Sequence, residues 1–230
     1  DVAAIDAATS GDNIVINTSH DSSTRPSASG KTLTIKSAAN ATVVLTIKET
    51  AWLLKSDNNF TFDGTASNSS LTIDFDNASS KYNFVETGTY SFNSVTFKNG
   101  AYNNGIFEMK SGCNVTLNNC TFNGNSTRIA YANNSSSSLT ITGTLTFATG
   151  YAADNDILVT DNTGTITATG ATVSGGRKIK ISATNNSDKT ITGGTTTQFE
   201  LTTASTATHQ LITSSGNLVV EKKPRSEERR

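Results

Sequence analysis

Three carboxylates lie close together at Asp154, Asp156 and Asp161, with Arg128 upstream and Arg177 downstream, and no other group of residues in the chain comes nearer to a reactive set. Such a set suits a polysaccharide lyase, in which an acidic cluster holds calcium and a basic residue takes the proton. A glycoside hydrolase would instead need two carboxylates flanking the sugar bond. The competing reading is a solvated loop with surface charges. Asp154, Asp156, Arg128 and Arg177 are kept as the candidates for catalysis, and no metal site is assigned.

Two further sets could bind without reacting. Tyr102, Tyr131 and Tyr151 could line a sugar-stacking groove, although tyrosines so placed are more often packed into corners. The triplets Thr140-Ile141-Thr142, Thr165-Ile166-Thr167 and Thr190-Ile191-Thr192 repeat at intervals of 25 residues. If the isoleucines face inward, the threonines face outward. The resulting Thr-x-Thr array, three turns deep on this reading, resembles the surface of some ice-binding proteins. Cys113 and Cys120 have neither the spacing of a zinc site nor that of a redox pair, and neither His20 nor His209 lies near them. The sequence favours buried thiols over a disulfide. The Asn-x-Ser/Thr sequons at Asn59, Asn114 and Asn125 arise by chance in a chain so rich in these residues.

Composition narrows the classes that remain. Ser, Thr and Asn fill 91 of 230 positions, charged residues make up 16%, and the net charge is −1. The body of the chain has no basic stripe, which argues against a nucleic-acid partner. No apolar run approaches the roughly 18 residues of a membrane helix. Recurrent Thr, Val and Ile argue against disorder. Asp1 at the start reads as a processed or trimmed chain, and residues 221–230 as a charged, solvated tail.

The elements that must position these residues follow from a repeat. Phe97, Phe122 and Phe147 are 25 residues apart, as are Val95, Cys120 and Leu145, and the interval also links Phe92 to Leu117 and, after a slip of one residue, Ile141 to Ile166 to Ile191. Within each period three short runs alternate apolar and polar residues, as strands do. One set is 115–117, 120–122 and 129–131; others read back to 33–35, 43–47 and 52–54, and forward to Ile191, Phe199 and 211–212. Asn-Gly and Asp-Gly pairs such as Asn99-Gly100 and Asp63-Gly64 mark the corners between runs. Strands this short gain stability only by stacking turn on turn. The expected fold is therefore all-β, a single-stranded parallel β-helix or solenoid of about eight turns of ~25 residues with three short strands per turn. Its domain spans residues 1–220. Val2, Ile5 and Ala8 share one face of a short N-terminal helix within residues 1–12, which would cap the open end.

The opening AIDAATSGDNIVI and the segment NNGIFEMKSGCNVTLNNCTFNGN resemble right-handed parallel β-helix proteins of the pectin-lyase-like superfamily. Among these the look is that of bacterial surface adhesins and polymorphic outer-membrane passengers. Residues 122–125 match their Phe-x-x-Asn element, while Asn104-Gly105-Ile106 is a degenerate form of their Gly-Gly-Ala-Ile element. The resemblance implies a right-handed coil. For a polygalacturonase-like enzyme it would also imply Asn-Thr-Asp, Asp-Asp, Gly-His-Gly and Arg-Ile-Lys motifs, none of which occurs; Arg177-Lys178-Ile179-Lys180 echoes only the last. The expectation is a non-catalytic module for adhesion or structural display, secreted or on the outer surface of a bacterial cell. It would bind a polysaccharide or a host-surface glycan or protein, and no cofactor is assigned. Polysaccharide cleavage is the alternative, and ice binding through the Thr-x-Thr face the third reading.

Overall fold

A computed structural model describes residues 2–48, 54, 57–76, 85 and 87–224. The chain winds as a parallel β-solenoid of about seven turns, one fewer than expected. Its strands form three sheets. The ten-stranded sheet begins with eight parallel strands: Asn13–Ile16, Thr32–Ser37, Asn58–Asp63, Gly88–Asn93, Cys113–Asn118, Ser138–Thr142, Thr165–Thr167 and Lys189–Thr192. A seven-stranded parallel sheet runs from His20–Ser22 to Thr172–Ser174, and a five-stranded one from Phe107–Met109 to Phe199–Leu201. On this third side the earlier turns show, among the described residues, a bridge between buried Leu54 and Val85. Trp52, expected there, lies outside the described residues.

Alternation within each strand sends every second side chain to the axis, where like residues meet. Phe97 lies opposite Phe122, and Phe122 opposite Phe147, with ring centroids 5.2 and 6.4 Å apart. Phe62 and Phe92 stack at 5.1 Å on the first sheet. Within one turn, Phe92, Phe97 and Phe107 come one from each sheet and touch each other at 5.1, 5.3 and 5.4 Å. The core is thus closed across the axis as well as along it.

Carboxamides clip the corners from turn to turn. Buried Asn125 accepts from the Gly100 amide at 2.6 Å and donates to the Phe97 carbonyl at 2.9 Å. A Cβ on Gly100 would come within 2.9 Å of the Asn125 Oδ1, so glycine is required beside that clip. The Phe-x-x-Asn element of residues 122–125 therefore joins a core ring to a backbone staple. Asn119 takes a positive φ of 53°, and its Oδ1 accepts from Thr144 N at 2.9 Å.

Both ends carry a cap. The helix Val2–Ala7 buries Ile5, and Lys31 donates from Nζ to the carbonyls of Ile5, Asp6 and Ala8 at its C-terminus, where a cation opposes the helix dipole. At the other end the chain reverses. The sequence places 211–212 on the third side of another parallel turn, but His209–Ser214 pairs antiparallel with Asn217–Lys222, which pairs antiparallel with Lys189–Thr192. The two residues between those strands, Ser215 and Gly216, both take positive φ, as a tight hairpin turn demands. The segment expected to be a solvated tail starts inside this cap: Glu221 and Lys222 belong to the last strand, and Lys223 N donates to Thr208 O. Residues 225–230 lie outside the described residues.

A second correction concerns register. The 25-residue spacing places Ile141 under Ile166, but Leu139 is the residue opposite Ile166, and Ile166 is then opposite Ile191. Phe122 faces Phe147, whereas Ala130 faces Ile157 and not residue 155. The corner between Phe147 and Ile157 is two residues longer than the corner below it, and the next strand of the first sheet, Thr165–Thr167, is offset by two residues from the 25-residue spacing.

Because Phe97 contacts rings from all three sheets and is fully buried, Phe97→Ala will cost about 3–5 kcal/mol in urea unfolding. Val15→Ala, at an exposed position of the first strand, will change stability by less than about 0.5 kcal/mol.

Candidate functional site

Of the residues proposed for catalysis, the lengthened corner holds Asp154 and Asp156, and Asp156 fills it together with Arg177 from the following turn. Asp156 is fully buried. Its carboxylate accepts from the Tyr151 hydroxyl at 2.5 Å, from Arg177 Nη2 at 2.6 Å and from the Lys180 amide at 2.6 Å. Burial pushes the carboxyl above the ordinary range, against the opposing pull of those three donors. Tyr151 is pushed up as well, by its own burial and then by the neighbouring carboxylate. Arg177 lies over the rings of Phe147 and Tyr151 at 4.5 and 4.8 Å and donates to the Ala153 carbonyl at 3.1 Å. These contacts tie a buried ion pair to the core across the longer loop. The Asp156 oxygens are thus occupied, and the side chain has no exposed surface.

The remaining charged candidates are dispersed. Asp154 is 92% exposed and pairs with Lys180 at 3.0 Å, an arrangement that lowers its pKa. Asp161 lies at the next corner, where it accepts from the amides of Asn186 and Ser187 at 2.7 and 2.9 Å; these bonds hold it well below the usual carboxylate range. Arg128 packs its methylenes against Gly105, and burial lowers its pKa. It forms no ion pair with Asp154, Asp156 or Asp161 among the described residues. Nor do three His, Cys, Asp or Glu side chains converge as metal ligands among those residues.

The tyrosines do not form one surface. Tyr151 packs edge-on against Phe147 at 4.8 Å, Tyr131 faces outward between Glu108 and Leu158, and Tyr102 occupies the corner before Phe107–Met109, where its hydroxyl accepts from Asn104 at 3.4 Å. Cys113 and Cys120 are separate buried thiols, and burial pushes both up to about 12.

The outward threonines form a larger array than the sequence indicated, and they align differently. Thr140 stands opposite Thr167, and Thr167 opposite Thr192; Thr165 stands opposite Ser138 and lies in line with Thr190. Thr142 falls in a neighbouring rank with Asn118. Followed through all pairings, one rank runs Thr34, Thr61, Ser91, Thr116, Thr140, Thr167, Thr192. Its neighbour runs Thr32, Asn59, Thr89, Asn114, Ser138, Thr165, Thr190. Each rank is seven residues long, exposed or half-buried, and free of charge and of aromatic rings. Charged residues occur in the next rank only at its start, as Lys36 and Asp63. The intervals along a rank vary with corner length, so a fixed-period search finds only its last members; the signal available was the polar residue between two inward ones in each run.

Compared with known proteins, the chain matches no family model, no curated protein and no solved structure. Among the described residues no helix is long and apolar enough to cross a membrane.

The two Asp substitutions separate structure from surface. Asp156→Ala strands Arg177 beside the core and will cost about 3–5 kcal/mol in chemical denaturation, whereas Asp154→Ala will leave the unfolding midpoint unchanged.

Proposed function

We propose that the chain is a non-catalytic module for adhesion or structural display, secreted or carried on a bacterial cell surface, that meets an uncharged, hydroxyl-rich partner through the outward face of its ten-stranded sheet. The observation that carries this reading is the pair of seven-residue ranks: 14 neutral polar side chains in register over the length of the parallel stack. A surface of this kind offers hydrogen bonds without the cost of stripping water from ions. The likeness of residues 104–125 to pectin-lyase-like passengers supports the placement at a cell surface. Polysaccharide cleavage has less support. Its best carboxylate, Asp156, is consumed by Tyr151, Arg177 and the Lys180 amide, and Asp154 stands alone in solvent with Lys180.

Thr116→Lys combined with Thr167→Lys places two cations in one rank, separated by Thr140 so that they do not face each other. Binding to an uncharged, hydroxyl-rich surface will weaken about tenfold or more, equivalent to about 1.4 kcal/mol, with the melting temperature retained. Unchanged binding would contradict the assignment of this face. Release of soluble products from any polysaccharide, abolished by Asp154→Ala, would overturn the non-catalytic reading.

A further inference from the structure

We infer that the partner of the two ranks is the ordered surface of ice. The inference rests on the reading that this sheet face is the contact surface, and it names what the face contacts. Backbone pairing spaces the ranked side chains at about 4.8 Å from turn to turn and about 6.8 Å between ranks. Both spacings recur without interruption over seven strands, so the face is a two-dimensional lattice and not a pocket. A partner that uses the whole lattice must itself repeat rigidly in two directions.

The composition of the ranks then selects among repeating solids. Ten of the 14 side chains are threonine, which presents a methyl and a hydroxyl side by side and is stiff at χ1. Ordering such side chains against a solid loses little conformational entropy. Within the second rank Ser138 Oγ donates to Asn114 Oδ1 at 2.6 Å, which fixes that pair before any partner arrives. No charge is present to hold a disordered hydration shell, so the hydroxyls can stand where lattice waters would be while the methyls exclude liquid water. Crystalline polysaccharide fits less well, because a sugar sheet exposes flat apolar ring faces and the ranks contain no aromatic side chain to cover them. A soluble oligosaccharide fits worse still. A cavity of about 460 Å³ lies at the N-terminal end, lined by Ile5, Ile16, Ile35 and Phe62, residues that point away from the ranks.

The test uses the whole chain, fluorescently labelled, on a growing single ice crystal and in an ice-recrystallisation assay, with microcrystalline cellulose as a parallel solid. The inference expects the protein to enter the growing ice and to slow recrystallisation. It expects both effects to be lost in Thr140→Tyr and kept in Thr121→Tyr, which lies on the outward face of the seven-stranded sheet. Circular dichroism checks that each variant is folded. Exclusion from ice together with binding to cellulose that Thr140→Tyr abolishes would overturn ice as the partner and leave the contact face standing. Exclusion from ice with cellulose binding absent or indifferent to Thr140→Tyr would overturn both, as would loss of ice binding in Thr121→Tyr alone.

Discussion

Parallel backbone pairing between one turn and the next governs everything else in this molecule. Each strand holds three to six residues, too few to bury a core alone, and each gains its hydrogen bonds from the turns on either side. Once the pairing is set, the side chains have no freedom in where they lie: inward residues of successive turns must stack, and outward residues must line up. The contacts among Phe92, Phe97, Phe107, Phe122 and Phe147 and the outward polar ranks are two consequences of the same constraint.

Corners absorb whatever the pairing does not allow. A turn can gain residues only where it leaves the sheets, and the corner between Phe147 and Ile157 does so. The extra length brings Tyr151 and Asp156 inward, and Arg177 from the following turn completes the plug. Burying a carboxylate is costly unless it is paired and fully hydrogen-bonded, and all three donors are supplied here. In three dimensions the grouped charges separate, Asp156 and Arg177 packing the corner while Asp154 stays in solvent. Asn125 performs a lighter version of the same task, closing a corner with one carboxamide.

Much of the fold is legible in the sequence because Phe97, Phe122 and Phe147 lie in turns of equal length, so a fixed interval finds them. The N-terminal cap is legible for a different reason, since Val2, Ile5 and Ala8 follow helical spacing and stop before Gly11. The threonine triplets mislead because they keep an interval of 25 across a corner that had grown by two residues; identical spelling coincides with unlike position. The reversal at Ser215-Gly216 was written in the turn residues, but the expectation of one more parallel strand absorbed 211–212 into the repeat. For the candidate site, spacing shows which residues share a corner and cannot show which of them turn inward. That is decided by Phe147 and Arg177, whose ring and guanidinium enclose Tyr151 and Asp156.

The offset in register offers the most direct check on the stacking itself. Thr140→Cys paired with Thr167→Cys places two thiols opposite each other on adjacent strands, while Thr140→Cys paired with Thr165→Cys follows the interval in the sequence and sets them on a diagonal. A short thiol bridge such as dibromobimane, fluorescent only when both ends react, reports which pair adjoins. The account predicts rapid bridging at 140 and 167 and little at 140 and 165 in folded protein. The opposite preference, or equal bridging of both pairs, would contradict it.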